Sequence, residues 1–228
     1  MFATIILPFN PENSLVIFVL WDLSAIAIID GPLPEIVAHS APFSINLFNP
    51  ETRANAMRII EELLSKASGK VLAGFDFPFG YPSDAYEKLE ISTWSELWDT
   101  LTRLIEDSQD NSNNRFEVAE ILNKNFKFDG PFWGYPRSQQ IKFKHLPFYK
   151  PKGFGNNLPA EKRLVEKLIR RTKSAWQLNG VGSVGGQTLL GIPYVNILKQ
   201  KFDSSVWPFT NIDSKVVFAE IYPAIWNV

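Results

Sequence analysis

Two carboxylates stand where the sequence is most apolar. Asp76 follows the run KVLAGF and precedes FPFGYP, and Glu220 interrupts the run VVFAEIY. An acid directly after a buried strand lies at the carboxyl edge of a sheet, where α/β proteins bind their ligands. A glutamate inside an apolar strand is costly unless a cation, a metal or a shared proton compensates it. Together Asp76 and Glu220 present the oxygen donors that a hard divalent cation such as Mg²⁺ or Mn²⁺ takes, alongside water and phosphate oxygens. The plainer alternatives are that Asp76 only caps its turn and that Glu220 faces solvent.

Three further groups are candidates for holding a substrate. In Asn179–Thr188 (NGVGSVGGQT), Gly180, Gly182 and Gly185 match G-x-G-x-x-G, but a dinucleotide site needs a strand just before the motif. Trp176-Gln177-Leu178 and a basic segment precede it instead. Backbone N–H groups of such a turn can still cradle an anion, which makes Gly182, Ser183 and Gln187 binding candidates. Asn113 and Arg115 combine an amide with a guanidinium suited to phosphate or carboxylate; an Asx turn capping the next helix is the alternative. Trp133 is either core or a stacking surface. His39 and His145 complete no Ser-His-Asp arrangement.

Of 228 residues, 45% are apolar and 21% charged, which suits a soluble chain with a sizeable core and excludes a disordered one. The absence of Cys excludes disulfides, thiolate metal sites and a Cys nucleophile. Two histidines exclude a His-rich zinc site. The net charge of −1 hides an asymmetry. Residues 137–173 carry eleven Lys and Arg against Glu161 and Glu166, so the segment is +9 and the remainder −10. Such a segment suits an anionic partner, either nucleic acid or a phosphorylated small molecule, or else is a solvated face. Arg170 and Arg171 are its candidate contacts. No membrane span is expected, because the longest apolar stretch, Leu15 to Ile29, is too short and Asp22 interrupts it. With no basic residue before Arg53, a signal peptide has no positive region, and a cytoplasmic location is expected.

These residues need elements to position them. LVIFVLW (15–21) reads as a buried strand, and Ala25 to Ile29 opens a second apolar element. Asn49 and Pro50 start a helix with a stripe of Ile59, Ile60, Leu63 and Leu64, and Gly69 ends it. Lys70 to Phe75 is a short buried strand. Thr93 and Glu96 form a capping box for a second helix. A polar turn at 107–114 leads to a third helix, from Arg115 to about Asn125. Residues 126–158 read as a long ordered loop. Pro159 to Ala175 reads as a basic helix with Leu164, Val165, Leu168 and Ile169 inward. The glycine turn precedes a helix broken near Pro193. Lys215 to Tyr222 is a final strand, central and covered on both faces. The expectation is one α/β domain over 1–228 with an insertion at about 83–175.

The strings GFDFPFGYP, NNRFEVAEILN, PFWG, WQLNGVGSVGGQT, VWPF and AEIYP, in that order, resemble an uncharacterised bacterial protein family with a ribonuclease H-like fold. The resemblance runs from about Asn49 to Pro223. It implies a ribonuclease H-like mixed central sheet flanked by helices, and acids on central strands that bind divalent metal for phosphodiester chemistry. Members are regarded as nucleases by fold-level inference. Asp76 and Glu220 then take acidic positions. The family's first strand ends in Asp-Trp-Ser-Ala; the nearest string here is Trp21-Asp22-Leu23-Ser24-Ala25, which makes Asp22 a third candidate by analogy. A further helix is expected beyond AEIYP, so the chain reads as part of a longer one. The expected function is a metal-dependent phosphodiesterase or nuclease acting on nucleic acid or a phosphorylated substrate. A metabolite-binding enzyme of another class, or a non-catalytic binding protein lacking the first acid, are the alternatives.

Overall fold

A computed structural model describes residues 15–20, 25–30, 44–126, 129–139, 143–169 and 172–222. The fold is mixed α/β. Apolar and β-branched runs form the strands β1 (Leu15–Leu20), β2 (Ala25–Asp30), β3 (Ser44–Phe48), β4 (Val71–Phe75), β5 (Ser204–Trp207) and β6 (Val216–Glu220). They make one sheet in the order β3-β2-β1-β4-β6-β5. β1, β2 and β3 form an antiparallel meander. β1 then pairs parallel with β4, β4 with β6, and β6 with β5. β4 and β6 are therefore central, and Val71, Ala73, Phe75 and Val216–Ala219 are buried. β3 and β5 are the outer strands. Neither is marked in the sequence, because each is short and mixes polar with apolar residues (SINLF and SSVW).

The helices are α1 (Arg53–Lys66), α2 (Trp94–Leu104), α3 (Arg115–Asn123), α4 (Leu164–Leu168) and α5 (Gly185–Lys201). α1 is capped at Thr52, whose hydroxyl accepts the Asn55 N–H at 3.2 Å; Asn49 and Pro50 precede the helix without joining it. Ala56, Met57, Ile60 and Leu64 form its buried face. α2 starts as expected at Thr93, which accepts the Glu96 N–H at 3.1 Å, and buries Leu97, Trp98 and Leu101. α5 runs unbroken through Pro193. Burial of Leu189, Ile192, Val195 and Leu198 outweighs the roughly 3 kcal/mol an internal proline costs.

The largest departure lies in the basic segment. Among its described residues only Leu164–Leu168 is helical, and its leucines point outward: Leu164 is 79% and Leu168 80% exposed. The buried side chain is Glu166, at 2%. The Arg163 guanidinium reaches its carboxylate at 2.8 and 3.0 Å, and the Arg163 backbone N–H donates to it at 2.8 Å. Arg163 also donates to the Tyr222 hydroxyl at 2.9 Å. A buried, doubly bonded ion pair stands in place of the expected leucine stripe, because a carboxylate with several donors tolerates burial and five residues cannot sustain an amphipathic face.

The chain divides into two compact units, one of residues 1–76 and 197–221 and the other of residues 77–196 and 222–228. The sheet belongs to the first, while α2, α3 and the long loops belong to the second.

Candidate functional site

In the sheet unit, the register sets the position of the acids. Glu220 pairs with Phe75, and the Ile221 N–H donates to the Phe75 carbonyl at 2.9 Å. Asp76 is the next residue after Phe75. With parallel strands about 4.8 Å apart and a rise of about 3.3 Å per residue, the Asp76 and Glu220 backbones lie roughly 6 Å apart at the carboxyl edge. Both residues are half-buried. Glu220 shares its pleat face with Phe75 and Phe218, whose rings meet edge-on at 6.1 Å. By alternation Asp76 falls on the other face of the sheet, and the strand gives way to a bend there. Gly74 occupies that other face: a Cβ there would stand 2.8 Å from Ile221 Cγ2. β1 lies on the other side of β4, with Val19 paired to Phe75. Asp22 lies outside the described residues. Among the described residues, no group of three or more His, Asp or Glu is arranged to hold a metal ion.

In the loop unit, the aromatics after Asp76 are core anchors. Phe77, Phe79 and Tyr81 are buried. Phe79 meets Trp98 edge-on at 5.4 Å, and the Trp98 indole N–H donates to the Phe79 carbonyl at 2.9 Å. Tyr81 stacks on Trp176 at 4.4 Å. Gly191 of α5 makes room for Phe77, whose ring a Cβ would approach to 2.3 Å. Burial raises the Tyr81 hydroxyl well above its ordinary value, Tyr86 raises it further, and the Arg163 charge opposes both.

The glycine turn has the conformation its composition implies. Gly180 and Gly182 adopt φ of +115° and +71°, and Gly182 is exposed. Gly185 and Gly186 have a packing role. A Cβ on Gly185 would meet the Ala175 and Gln177 carbonyls at 2.5 Å, and the Gly185 N–H donates to the Gln177 carbonyl at 2.9 Å. The first turn of α5 therefore commits one N–H to the chain itself. Ser183 is half-buried in the turn, and Gln187 is buried, with no hydrogen-bond partner for its Oε1 among the described residues.

The structure brings Arg115 to this turn. The Arg115 side chain lies 3.5 Å from where a Gly186 Cβ would be, and its guanidinium covers the Phe116 ring at 4.3 Å. Asn113 accepts from Arg115 Nη1 at 2.9 Å, so the two side chains bond each other at the start of α3. Asn114 closes the preceding turn, accepting from the Glu106 N–H at 2.9 Å and donating to the Leu104 carbonyl at 3.0 Å. Trp133 is half-buried and bridges to Gln177; the Leu178 N–H donates to the Trp133 carbonyl at 2.9 Å. Gln187 and Arg115 thus lie at the start of α5, and Trp133 pairs with Gln177 ahead of the turn, while Arg170 and Arg171 lie outside the described residues.

Sequence reasoning misses Asn123. It is 1% exposed, and its amide nitrogen shares its two protons among the carbonyls of Asp129, Phe132 and His145 at 3.1, 3.0 and 2.8 Å. Its carbonyl oxygen accepts from the Phe132 N–H at 3.1 Å. An amide ending an otherwise apolar helix face is the available signal. No family model, curated protein or solved structure matches the chain.

Proposed function

We propose that the chain is a metal-dependent phosphodiesterase or nuclease of ribonuclease H-like fold, acting on nucleic acid or a phosphorylated substrate. The observation that supports the reading is the β4–β6 register, which pairs Glu220 with Phe75 and so brings Asp76, the next residue, to the same carboxyl edge of central parallel strands. The mixed α/β sheet is the coarse architecture that the resemblance implies. The donor set is carboxylate only, which fits Mg²⁺ or Mn²⁺, with Asp76 and Glu220 as ligands and Asp22 a third by analogy. A cation bound there supplies an activated water and neutralises charge on the leaving oxygen. Asp76 directly follows the last paired residue of β4. Glu220 sits on a strand paired along its whole length. Hydrolysis of a chromogenic phosphodiester should require Mn²⁺ or Mg²⁺. It should fall by roughly two orders of magnitude, the scale of losing one catalytic group, in Asp76→Asn and in Glu220→Gln. Hydrolysis that persists in both variants, or that needs no cation, overturns the reading.

A further inference from the structure

We infer that the loop 143–154 is a stacking platform for single-stranded nucleic acid. The inference deepens the phosphodiester reading above and rests on it for the substrate class. Tyr149 is 74% exposed, unusual for so large an aromatic, and its ring is held from behind. Phe148 meets it edge-on at 4.9 Å, Tyr135 meets Phe148 at 5.4 Å, and Phe143 meets Tyr135 at 5.3 Å. The loop is fixed at its base. Glu120 accepts the Lys144 and His145 N–H groups at 2.7 and 3.1 Å, and the Gly134 N–H donates to the Pro147 carbonyl at 3.0 Å. Tyr149 therefore presents an open face with little ordering left to lose on binding.

The charge around it is net positive, with Lys144 and Lys152 exposed beside the Lys150–Glu161 pair. Exposed Lys144, Lys150 and Lys152 alternate with the aromatics. Glu120 is occupied by backbone N–H groups, and Glu161 is paired with Lys150 at 2.7 Å. Aromatic faces interleaved with cations suit a single strand, whose bases are free to stack while its phosphates meet the lysines. A duplex keeps its bases stacked internally and offers such a ring nothing.

The test is fluorescence anisotropy with a labelled oligonucleotide as single strand and as duplex, with EDTA present to prevent cleavage. The single strand should bind more tightly than the duplex. Tyr149→Ala should weaken binding about tenfold, one stacked base, and Tyr149→Phe should restore it. Lys144→Gln with Lys152→Gln should flatten the salt dependence by about 0.7 for each phosphate no longer neutralised. Equal affinity for the duplex, no binding at all, or unchanged affinity in Tyr149→Ala with an unchanged melt overturns the platform. The two proposals fail separately: phosphodiester hydrolysis without single-strand binding removes only the platform, and single-strand binding without cation-dependent hydrolysis removes only the catalytic reading.

Discussion

Glu220 is placed by a β ladder; Tyr149 stands on a loop whose base is held by a side chain that bonds backbone. In the sheet unit, regularly repeated hydrogen bonds fix which residue stands beside which, and any one of them contributes little. In the loop unit, residues 129–139 and 143–158 run without helix or strand apart from a short 3-10 turn at Arg137–Gln139, and a few polar side chains replace the ladder. Order spread over many equivalent bonds tolerates local change, whereas order concentrated in single residues does not. Substitutions can test that contrast directly.

The largest effect should come from Asn123→Leu. The substitution removes an amide that serves three carbonyls and one N–H inside the loop unit. Buried partners left unsatisfied cost about 1–3 kcal/mol each, so a loss of roughly 4 kcal/mol or more is expected in chemical denaturation. The 129–146 loop should become the first site of proteolysis. A loss under about 1 kcal/mol would show that the loop is held by its aromatics instead.

The same contrast explains what can be read from the sequence. β1, β2, β4 and β6 are legible because each is a nearly continuous apolar run, and α2 is legible because Thr93 and Glu96 mark its start. Asp76 and Glu220 are legible as polar interruptions of those runs. Asn123, Tyr149 and the Arg163–Glu166 pair are not, since each acts through partners distant in sequence or against the local pattern. The segment 159–175 misleads for a physical reason. Leu164, Val165, Leu168 and Ile169 have helical spacing, but spacing records only which residues share a face, not whether that face is buried. The one buried carboxylate of the turn decides the orientation.

Glu166→Gln should be the next largest effect. The pair is nearly dry, with side-chain exposures of 14% for Arg163 and 1% for Glu166. Removing one charge leaves the other uncompensated, which costs about 3 kcal/mol for a buried pair. Replacing both, Arg163→Met with Glu166→Leu, should cost less than Glu166→Gln alone, because no uncompensated charge remains. A double variant less stable than the single one would show that the hydrogen bond from Arg163 to Tyr222 matters more than the ion pair.

The smallest effect should come from the residues that look most like core. Leu164→Ser with Leu168→Ser removes two leucines at i and i+4 on α4. Had they pointed inward, each truncation would cost about 2–5 kcal/mol, the scale of emptying a packed leucine site. At 79% and 80% exposure there is almost no packed volume to lose. What remains is a small change in helix propensity, within about 0.5 kcal/mol per site. The melting temperature of the double variant should therefore move by no more than about 2–4 °C. A larger fall would mean that these leucines are covered in solution, and the outward orientation of α4 would have to be abandoned. A near-zero shift, set beside a large one for Glu166→Gln two residues away, would establish that a buried ion pair orients this turn against its own hydrophobic pattern.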